Sequence, residues 1–105
     1  MSDFLPACKV SDLGDGERRL VEIDDRIVVL FRVGESYYAI DDVCTHDGGP
    51  LSEGTLDDFR IACPRHGAQF DIRDGRALTM PATRATAAHE TKVDDGTVYV
   101  RLSDD

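Results

Sequence analysis

Short runs of apolar and β-branched residues, each closed by turn residues, form most of the chain. Residues 18–23, 26–33 and 37–40 are runs of this kind, and the pairs Asp24-Asp25 and Gly34-Glu35 separate them. Runs of about four to eight residues that are rich in Val, Ile, Tyr and Phe and bounded by turn residues are typical of β-strands. The pattern therefore predicts consecutive strands joined by tight turns.

Two later segments predict hairpins. Residues 70–78 place Asp74-Gly75 between short arms, and residues 90–102 place the turn 94–96 between arms in which apolar and polar residues alternate. We find no helical period longer than two turns, no repeat and no linker. We therefore expect one antiparallel, all-β domain that spans residues 1–105.

Two cysteine and histidine pairs interrupt this series of strands. The pattern is Cys44-x-His46, then sixteen residues, then Cys63-x-x-His66. Thiolate and imidazole together suit zinc or iron and exclude hard ions such as calcium. A structural zinc site usually offers two cysteines first and two histidines later, whereas here each segment supplies one of each. The arrangement favours two adjacent metal atoms, and a structural Cys2His2 zinc module remains the alternative.

The motif resembles that of the Rieske proteins. "CTH" and "CPRHG" match the family's C-x-H and C-x-x-H, while "GAQFDIRDG" and "MPA" resemble its second cluster loop and its covering proline loop. In a Rieske [2Fe–2S] cluster two histidines replace two cysteines on one iron. The resemblance implies one cluster per chain, with the inner iron on Cys44 and Cys63 and the outer iron on His46 and His66.

The resemblance also implies the detailed fold. We expect a Rieske-like antiparallel β sandwich or barrel, with a small cluster-binding subdomain formed by loops at about 43–50 and 62–70. Gly48, Gly49 and Gly67 lie beside the predicted ligands. Since glycine lacks a Cβ, its backbone N–H can approach a bridging sulfide closely.

Four positions separate this chain from the respiratory members of that family. Those proteins carry two further cysteines, joined as a disulfide, at the positions where this chain has Gly49 and Arg65. They also carry a Ser and a Tyr at the positions where this chain has Ala68 and Phe70. Hydrogen bonds to sulfur stabilise the reduced cluster, so losing the two hydroxyls lowers the potential. We expect a potential at the low end of the Rieske range, which is roughly −150 to +300 mV.

The resemblance implies an electron carrier rather than an enzyme. We expect a ferredoxin that passes single electrons from a flavin-dependent reductase to a terminal oxygenase. Beyond the four predicted ligands only His89 remains, so the chain cannot build the site of two histidines and a carboxylate that binds a mononuclear iron. The alternatives are the small subunit of a nitrite reductase and an accessory of iron–sulfur assembly.

The formal charge of −9 limits the kinds of partner that the chain is expected to bind. It argues against nucleic acid and favours a basic patch on a protein partner. The longest apolar run, residues 27–31, is too short to span a bilayer, and the N-terminal residues do not form a signal peptide. We therefore expect a cytoplasmic monomer that binds no membrane.

Four further residues have simpler interpretations. Cys8 is expected to be a small packed apolar residue. His89 is expected on the solvated surface of a strand. Tyr37 and Tyr38 are expected to fill a strand, with one ring inside and the other outside.

Overall fold

The computed structural model describes residues 3–42, 50–64, 67–79 and 85–103, and nine strands lie in these ranges. They are Leu5–Lys9 (β1), Arg18–Ile23 (β2), Arg26–Val33 (β3), Ser36–Asp41 (β4), Thr55–Asp57 (β5), Arg60–Ala62 (β6), Gln69–Asp71 (β7), Ala88–Asp94 (β8) and Thr97–Arg101 (β9). The helical elements of these ranges are two 3₁₀ turns, Val10–Asp12 and Leu51–Glu53. The expected all-β fold class is confirmed.

The strands form two antiparallel sheets. The larger sheet has the order β1-β9-β8-β4-β3-β2, and the smaller has the order β5-β6-β7. The two end strands of the larger sheet, β1 and β2, contact each other, so this sheet curls towards a barrel. The smaller sheet belongs to the segment between β4 and β8, which is the segment of the predicted cluster-binding subdomain.

Strand β3 is buried on both of its faces. Val28 and Leu30 point into the first core, which fills the curled sheet, whereas Val29 and Phe31 point into the second core, beneath the smaller sheet. All four side chains are fully buried. This explains why the sequence of β3 is a continuous apolar run rather than an alternating one, since successive side chains of a strand point to opposite faces.

The predicted strand bounds are mostly confirmed. β2 and β3 have the expected bounds, β4 is one residue longer at each end, and β8 begins two residues earlier than expected. The predicted hairpin at residues 70–78 is reduced to a single bridge between Phe70 and Ala77. Its second arm is hydrogen-bonded to the first through backbone groups but is not a strand.

His89 is buried, so the expectation of a surface histidine is wrong. Its side chain is 0% exposed, and its Nε2 lies 2.8 Å from Oδ1 of Asp41. The backbone N–H of Ser103 donates to Nδ1 at 3.0 Å, so Nδ1 is unprotonated and Nε2 carries the proton. Arg26 donates to the other oxygen of Asp41 at 2.7 Å. The network therefore joins the start of β3, the end of β4 and the segment after β9.

The expectations for Cys8 and Tyr37 are confirmed, whereas the expectation for Tyr38 is not. Cys8 is buried in the first core as expected, and burial raises the pKa of its thiol. Tyr37 also packs in the first core. Tyr38 is on the opposite face but does not point to solvent, because it packs on the second core with its ring edge-on to Phe59 at a centroid distance of 5.7 Å.

An ion pair between a buried carboxylate and a half-exposed guanidinium braces the smaller sheet. The carboxylate of Asp71 is almost fully buried and accepts hydrogen bonds from Nε, Nη2 and the backbone N–H of Arg73 at 3.0, 2.7 and 2.9 Å. The side-chain hydrogen bond from Arg73 lowers the pKa of Asp71 below its ordinary value. The guanidinium of Arg73 also lies 4.4 Å from the ring centre of Phe59. The pair therefore connects β7 to the turn between β5 and β6.

We predict that Asp71→Asn lowers the free energy of unfolding at pH 7 by about 1.5–3 kcal/mol, as expected for a hydrogen-bonded charged group. Because the folded-state pKa of Asp71 is depressed, its contribution is present above the unfolded pKa of about 3.9 and is lost as the pH falls through the folded-state value. Urea unfolding of the wild type and of Asp71→Asn, measured from pH 7 to pH 3, should show that the difference between their free energies of unfolding becomes smaller in acid. Asp58→Asn, in the exposed turn of the same sheet, is the control; an equal loss in both variants would contradict the prediction.

Candidate metal centre

Cys63 is the one predicted ligand that lies within the described residues; Cys44, His46 and His66 lie outside them. It directly follows β6 and is only 2% exposed. Its neighbours in the second core include Leu51, Ile61 and Phe70. The small sheet therefore carries this thiol to a dry position between its own strands and the face of β3, which suits a thiolate ligand protected from water.

A tight turn follows Cys63. Its backbone N–H donates to the carbonyl oxygen of Ala68 at 2.7 Å, and its carbonyl oxygen accepts from the N–H of Gly67 at 2.9 Å. Gly67 has a φ of +75°, in the left-handed region that glycine adopts without strain. The N–H of Gly67 is thus engaged by Cys63, and the expected approach of glycine N–H groups to a bridging sulfide stays a prediction; Gly48 and Gly49 lie outside the described residues.

A carboxylate closes the base of the first predicted loop. Oδ1 of Asp42 accepts from the backbone N–H of Ser52 at 2.6 Å, and its Oδ2 accepts from the hydroxyl of Ser52 at 3.0 Å. The backbone N–H of Asp42 donates to the carbonyl oxygen of Ile27 at 3.1 Å, which holds Asp42 against β3. Both ends of the segment 43–51 are therefore held by a side chain two residues before Cys44.

The residues around Ser52 are themselves anchored. Leu51 is fully buried in the second core. Arg18 donates to the carbonyl oxygen of Ser52 at 3.0 Å and also to that of Gly54. A Cβ at Gly54 would collide with the carbonyl oxygen of Ala62, so only glycine lets this segment lie so close to β6. These contacts bring the end of the first loop beside the strand that leads to Cys63.

The segment after β7 is tied back to the Cys63 turn. Leu78 donates its N–H to the carbonyl oxygen of Gln69 at 2.8 Å, and the N–H of Gln69 donates to the hydroxyl of Thr79 at 2.9 Å. Further on, Thr86 donates its N–H to the carbonyl oxygen of Gly75 at 2.8 Å. The predicted proline loop, Met80 to Ala82, lies outside the described residues. The residues before it are hydrogen-bonded to Gln69 of β7, and Thr86 after it is hydrogen-bonded to Gly75, in the segment that follows β7.

The donor set fits a Rieske-type [2Fe–2S] cluster better than other metal groups. Two cysteines and two histidines match the mixed thiolate and imidazole ligation of such a cluster. Within the described ranges, no other group of three or more His, Cys, Asp or Glu residues is arranged to hold a metal ion. Ala68 and Phe70 are both fully buried beside the Cys63 turn, and neither side chain carries a hydroxyl.

Comparison with known proteins agrees with this reading of the site. The Rieske [2Fe–2S] domain family matches residues 3–97. The 3-phenylpropionate/cinnamic acid dioxygenase ferredoxin subunit of Shigella flexneri serotype 5b is 37% identical over 97 residues, which cover 91% of each chain.

Solved structures give the same result. The ferredoxin of carbazole 1,9a-dioxygenase from Nocardioides aromaticivorans IC177 superposes with a TM-score of 0.91 at 26% identity, and the match covers 95% of this chain and 98% of that one. A second match, with a TM-score of 0.87, 38% identity and coverage of 93% and 92%, is the complex of reduced oxygenase and oxidized ferredoxin in carbazole 1,9a-dioxygenase.

The chain belongs to the Rieske [2Fe–2S] domain family. Within that family it is a ferredoxin, an electron carrier that holds a Rieske-type [2Fe–2S] cluster and is not itself a catalytic subunit. The expected Rieske-like fold is confirmed as well. None of the helices described is long and apolar enough to cross a membrane.

We predict that Ser52→Ala weakens the base of the first loop. The variant removes the hydroxyl hydrogen bond to Asp42 and should lower the free energy of unfolding by about 0.5–1.5 kcal/mol. It should also shorten the lifetime of the bound cluster in the presence of an iron chelator, because the loop that carries Cys44 and His46 opens more often. Absorbance of the cluster follows the loss with time. Ser36→Ala, at the exposed first residue of β4, should leave that lifetime unchanged; equal lifetimes for all three proteins would contradict the role of the clamp.

We predict that Ala68→Ser and Phe70→Tyr each raise the reduction potential. Each adds a hydroxyl where the high-potential members of the family carry one, and a charge-assisted hydrogen bond of about 1.5–3 kcal/mol would favour the reduced cluster. Since about 1.4 kcal/mol corresponds to roughly 59 mV for one electron, the increase should be about 60–130 mV. Protein-film voltammetry measures it, at one pH well below any titration of the oxidised ligand histidines, with Ala87→Ser as a control distant in sequence from Cys63. Unchanged potentials in both variants, with the cluster intact, would show that solvent or surface charge dominates.

Proposed function

We propose that this chain accepts one electron at a time from a flavin-dependent reductase and delivers it to the terminal oxygenase of a ring-hydroxylating dioxygenase system. The observation that carries the proposal is the buried thiol of Cys63 in a closed turn, within a chain whose family match covers residues 3–97. The relative from Shigella flexneri is a dioxygenase ferredoxin subunit, and a 38% identical ferredoxin forms a complex with its oxygenase. Relatives of similar length and high coverage support the same role here.

We further propose that Cys44 and Cys63 hold the inner iron and that His46 and His66 hold the outer iron. When bound, the cluster supplies a one-electron redox couple. The chain's own residues exclude water from Cys63, through Leu51, Ile61 and Phe70, and close the first loop through Asp42 and Ser52. Because the two imidazoles belong to the outer iron, the surface beside them is the proposed site of electron exchange.

The residues near the proposed site also favour a low potential. Asp42 places a carboxylate two residues before Cys44, and a nearby negative charge disfavours an additional electron. Ala68 and Phe70 offer no hydroxyl to a sulfur atom. Both effects act in the same direction, as does the overall charge of −9. An electron donor needs a lower potential than the centre that it reduces. A low potential therefore suits a ferredoxin that supplies electrons to an oxygenase.

The other expectations are retained as parts of the proposal. We take residues 1–105 as a single Rieske domain that acts as a cytoplasmic monomer. The relatives reported above carry dioxygenase names, so the comparisons favour neither a nitrite reductase subunit nor an assembly accessory. A structural zinc module is likewise not favoured, because the matching family binds a [2Fe–2S] cluster.

We predict that the anaerobically purified protein contains about two iron atoms and two acid-labile sulfides per chain, as a Rieske cluster requires. Cys44→Ser and Cys63→Ser should abolish the cluster, because a serine hydroxyl is a poor replacement for a thiolate. Cys8→Ala should retain it, since Cys8 is buried in the first core and far from the motif in sequence. Metal analysis, sulfide analysis and the electron paramagnetic resonance spectrum of the reduced protein provide the measurement. Stoichiometric zinc without sulfide would refute the assignment.

The identity of the client is tested by reconstitution. The ferredoxin is mixed with NADH, a flavin-dependent reductase and terminal oxygenases purified from the same organism, and reduction of each oxygenase is followed by absorbance. The proposal expects reduction of at least one ring-hydroxylating oxygenase that requires the ferredoxin. Reduction of a nitrite reductase alone would overturn it.

A further inference from the structure

An exposed apolar residue lies between two carboxylates on one face of the larger sheet. Glu22 on β2 is directly opposite Ile27 on β3, and the backbone N–H of Asp42 donates to the carbonyl oxygen of Ile27 from the other side. Residues that oppose each other across antiparallel strands project from the same face of the sheet. Glu22, Ile27 and Asp42 therefore form a row across three adjacent chain segments, and Ile27 is at its centre.

A second apolar residue extends this row. Leu20 is directly opposite Val29, which makes it the diagonal neighbour of Ile27 on the same face. Leu20 and Ile27 are 52% and 48% exposed, and among the described residues the third large apolar side chain with such exposure is Val93 on β8. Single exposed apolar residues are ordinary on protein surfaces, whereas contiguous apolar patches with a polar rim mark interaction sites, and Leu20 and Ile27 adjoin each other.

A surface pocket adjoins the pair and has an acidic lining. It has a volume of about 240 Å³ and is lined by Arg26, Ile27, Asp41 and Asp42. Arg26 is engaged by Asp41 at 2.7 Å, so the charge of Asp42 is not balanced by a cation of this lining. Glu22 and the exposed turn Asp24-Asp25 add further negative charge at the same end of β2 and β3.

The row adjoins the base of the first predicted cluster loop. The backbone N–H of Asp42 donates to the carbonyl oxygen of Ile27 at 3.1 Å, and the carboxylate of Asp42 accepts from the N–H of Ser52 at the other end of that loop. Asp42 also precedes the proposed ligand Cys44 by two residues in the sequence. A protein that covers this row therefore contacts the base of the loop that is proposed to carry Cys44 and His46.

We propose that Leu20, Ile27, Glu22 and Asp42, here called the Ile27 surface, form a docking surface for the terminal oxygenase. The inference rests on the proposed function and deepens it by assigning a contact surface. The fitting partner surface has an apolar centre and a rim of lysine or arginine. One such side chain can lay its aliphatic part against Ile27 and its charged end beside Asp42 in the pocket.

The physical properties of the surface suit a transient electron-transfer complex. Interfaces of this kind are small and combine an apolar centre with a polar rim, so two apolar contacts contribute a large share of the affinity. The carboxylates accelerate encounter with a basic partner, and salt weakens this effect. A second copy of the chain is disfavoured as the occupant, because two proteins of charge −9 repel each other.

The apolar contact is tested with matched threonine variants. Leu20→Thr and Ile27→Thr reduce the apolar area while keeping residues that favour strands, and Val93→Thr makes the same kind of change at a residue of equal exposure on β8. Binding of each ferredoxin to the terminal oxygenase purified from the same organism is measured by calorimetry. We expect the double variant Leu20→Thr/Ile27→Thr to raise the Kd about tenfold and Val93→Thr to change it less than twofold. The reduction potential and the electron paramagnetic resonance spectrum should be unchanged in the double variant and in Val93→Thr.

The charged rim is tested separately by stopped-flow reduction of the oxygenase. Glu22→Gln/Asp25→Asn should lower the second-order rate constant several-fold at low salt and not at high salt. Glu35→Gln/Asp95→Asn, which removes two charges from other turns, is the control and should have a smaller effect. Both control turns are at the ends of strands remote from Asp42.

Several results would overturn the docking surface alone: equal effects of test and control variants, an effect on reduction by the reductase without one on the oxygenase, or self-association through this surface. They leave the proposed function intact, because the wild-type protein still reduces the oxygenase. If the wild-type protein reduces no oxygenase, the proposed function fails, and the docking inference fails with it.

Discussion

The burial of β3 on both faces is the constraint on which the rest of the structure depends. One face of the strand closes the curled sheet, and the other provides the floor on which the small sheet rests. The floor exists only because the apolar run continues without a polar residue at every second position. A polar side chain at Val29 or Phe31 would weaken the packing of the small sheet on this strand, whereas Val28 and Leu30 would still fill the first core. The position of Cys63 thus depends on residues that are not among the predicted ligands.

Hydrogen bonds at the bases of the loops then define the site. Asp42 with Ser52, Cys63 with Ala68 and Gln69 with Thr79 each join residues that precede or follow a functional segment. All three bonds join atoms that do not belong to the side chains of predicted ligands. By joining the ends of each segment, they shorten the part of the chain that has to be ordered when a cluster binds.

The sequence predicted the strands well where the apolar pattern was long, and predicted less where structure depends on distant partners. β2 and β3 were identified to the residue, because hairpin partners adjacent in sequence carry their own pattern. β5 and β6 have three residues each, too few to display a period, and exist because the small sheet pairs them. His89 was assigned to the surface because its neighbours in sequence are polar. Its burial depends on Asp41 and Ser103, which local pattern does not reveal. The ligand motif was readable from spacing and resemblance, whereas the Asp42 clamp has no sequence signature.

The aspartates of the turns show that the charge of this protein is separable from its fold. Asp24, Asp25, Asp58 and Asp95 all have positive φ, a conformation that asparagine adopts as readily as aspartate. Natural variation between these two residues would shift the net charge one unit at a time without altering any strand, core or loop base. Substitutions at these turns would therefore change the rate of association with a charged partner, and its dependence on salt, while the strands and both cores stay the same.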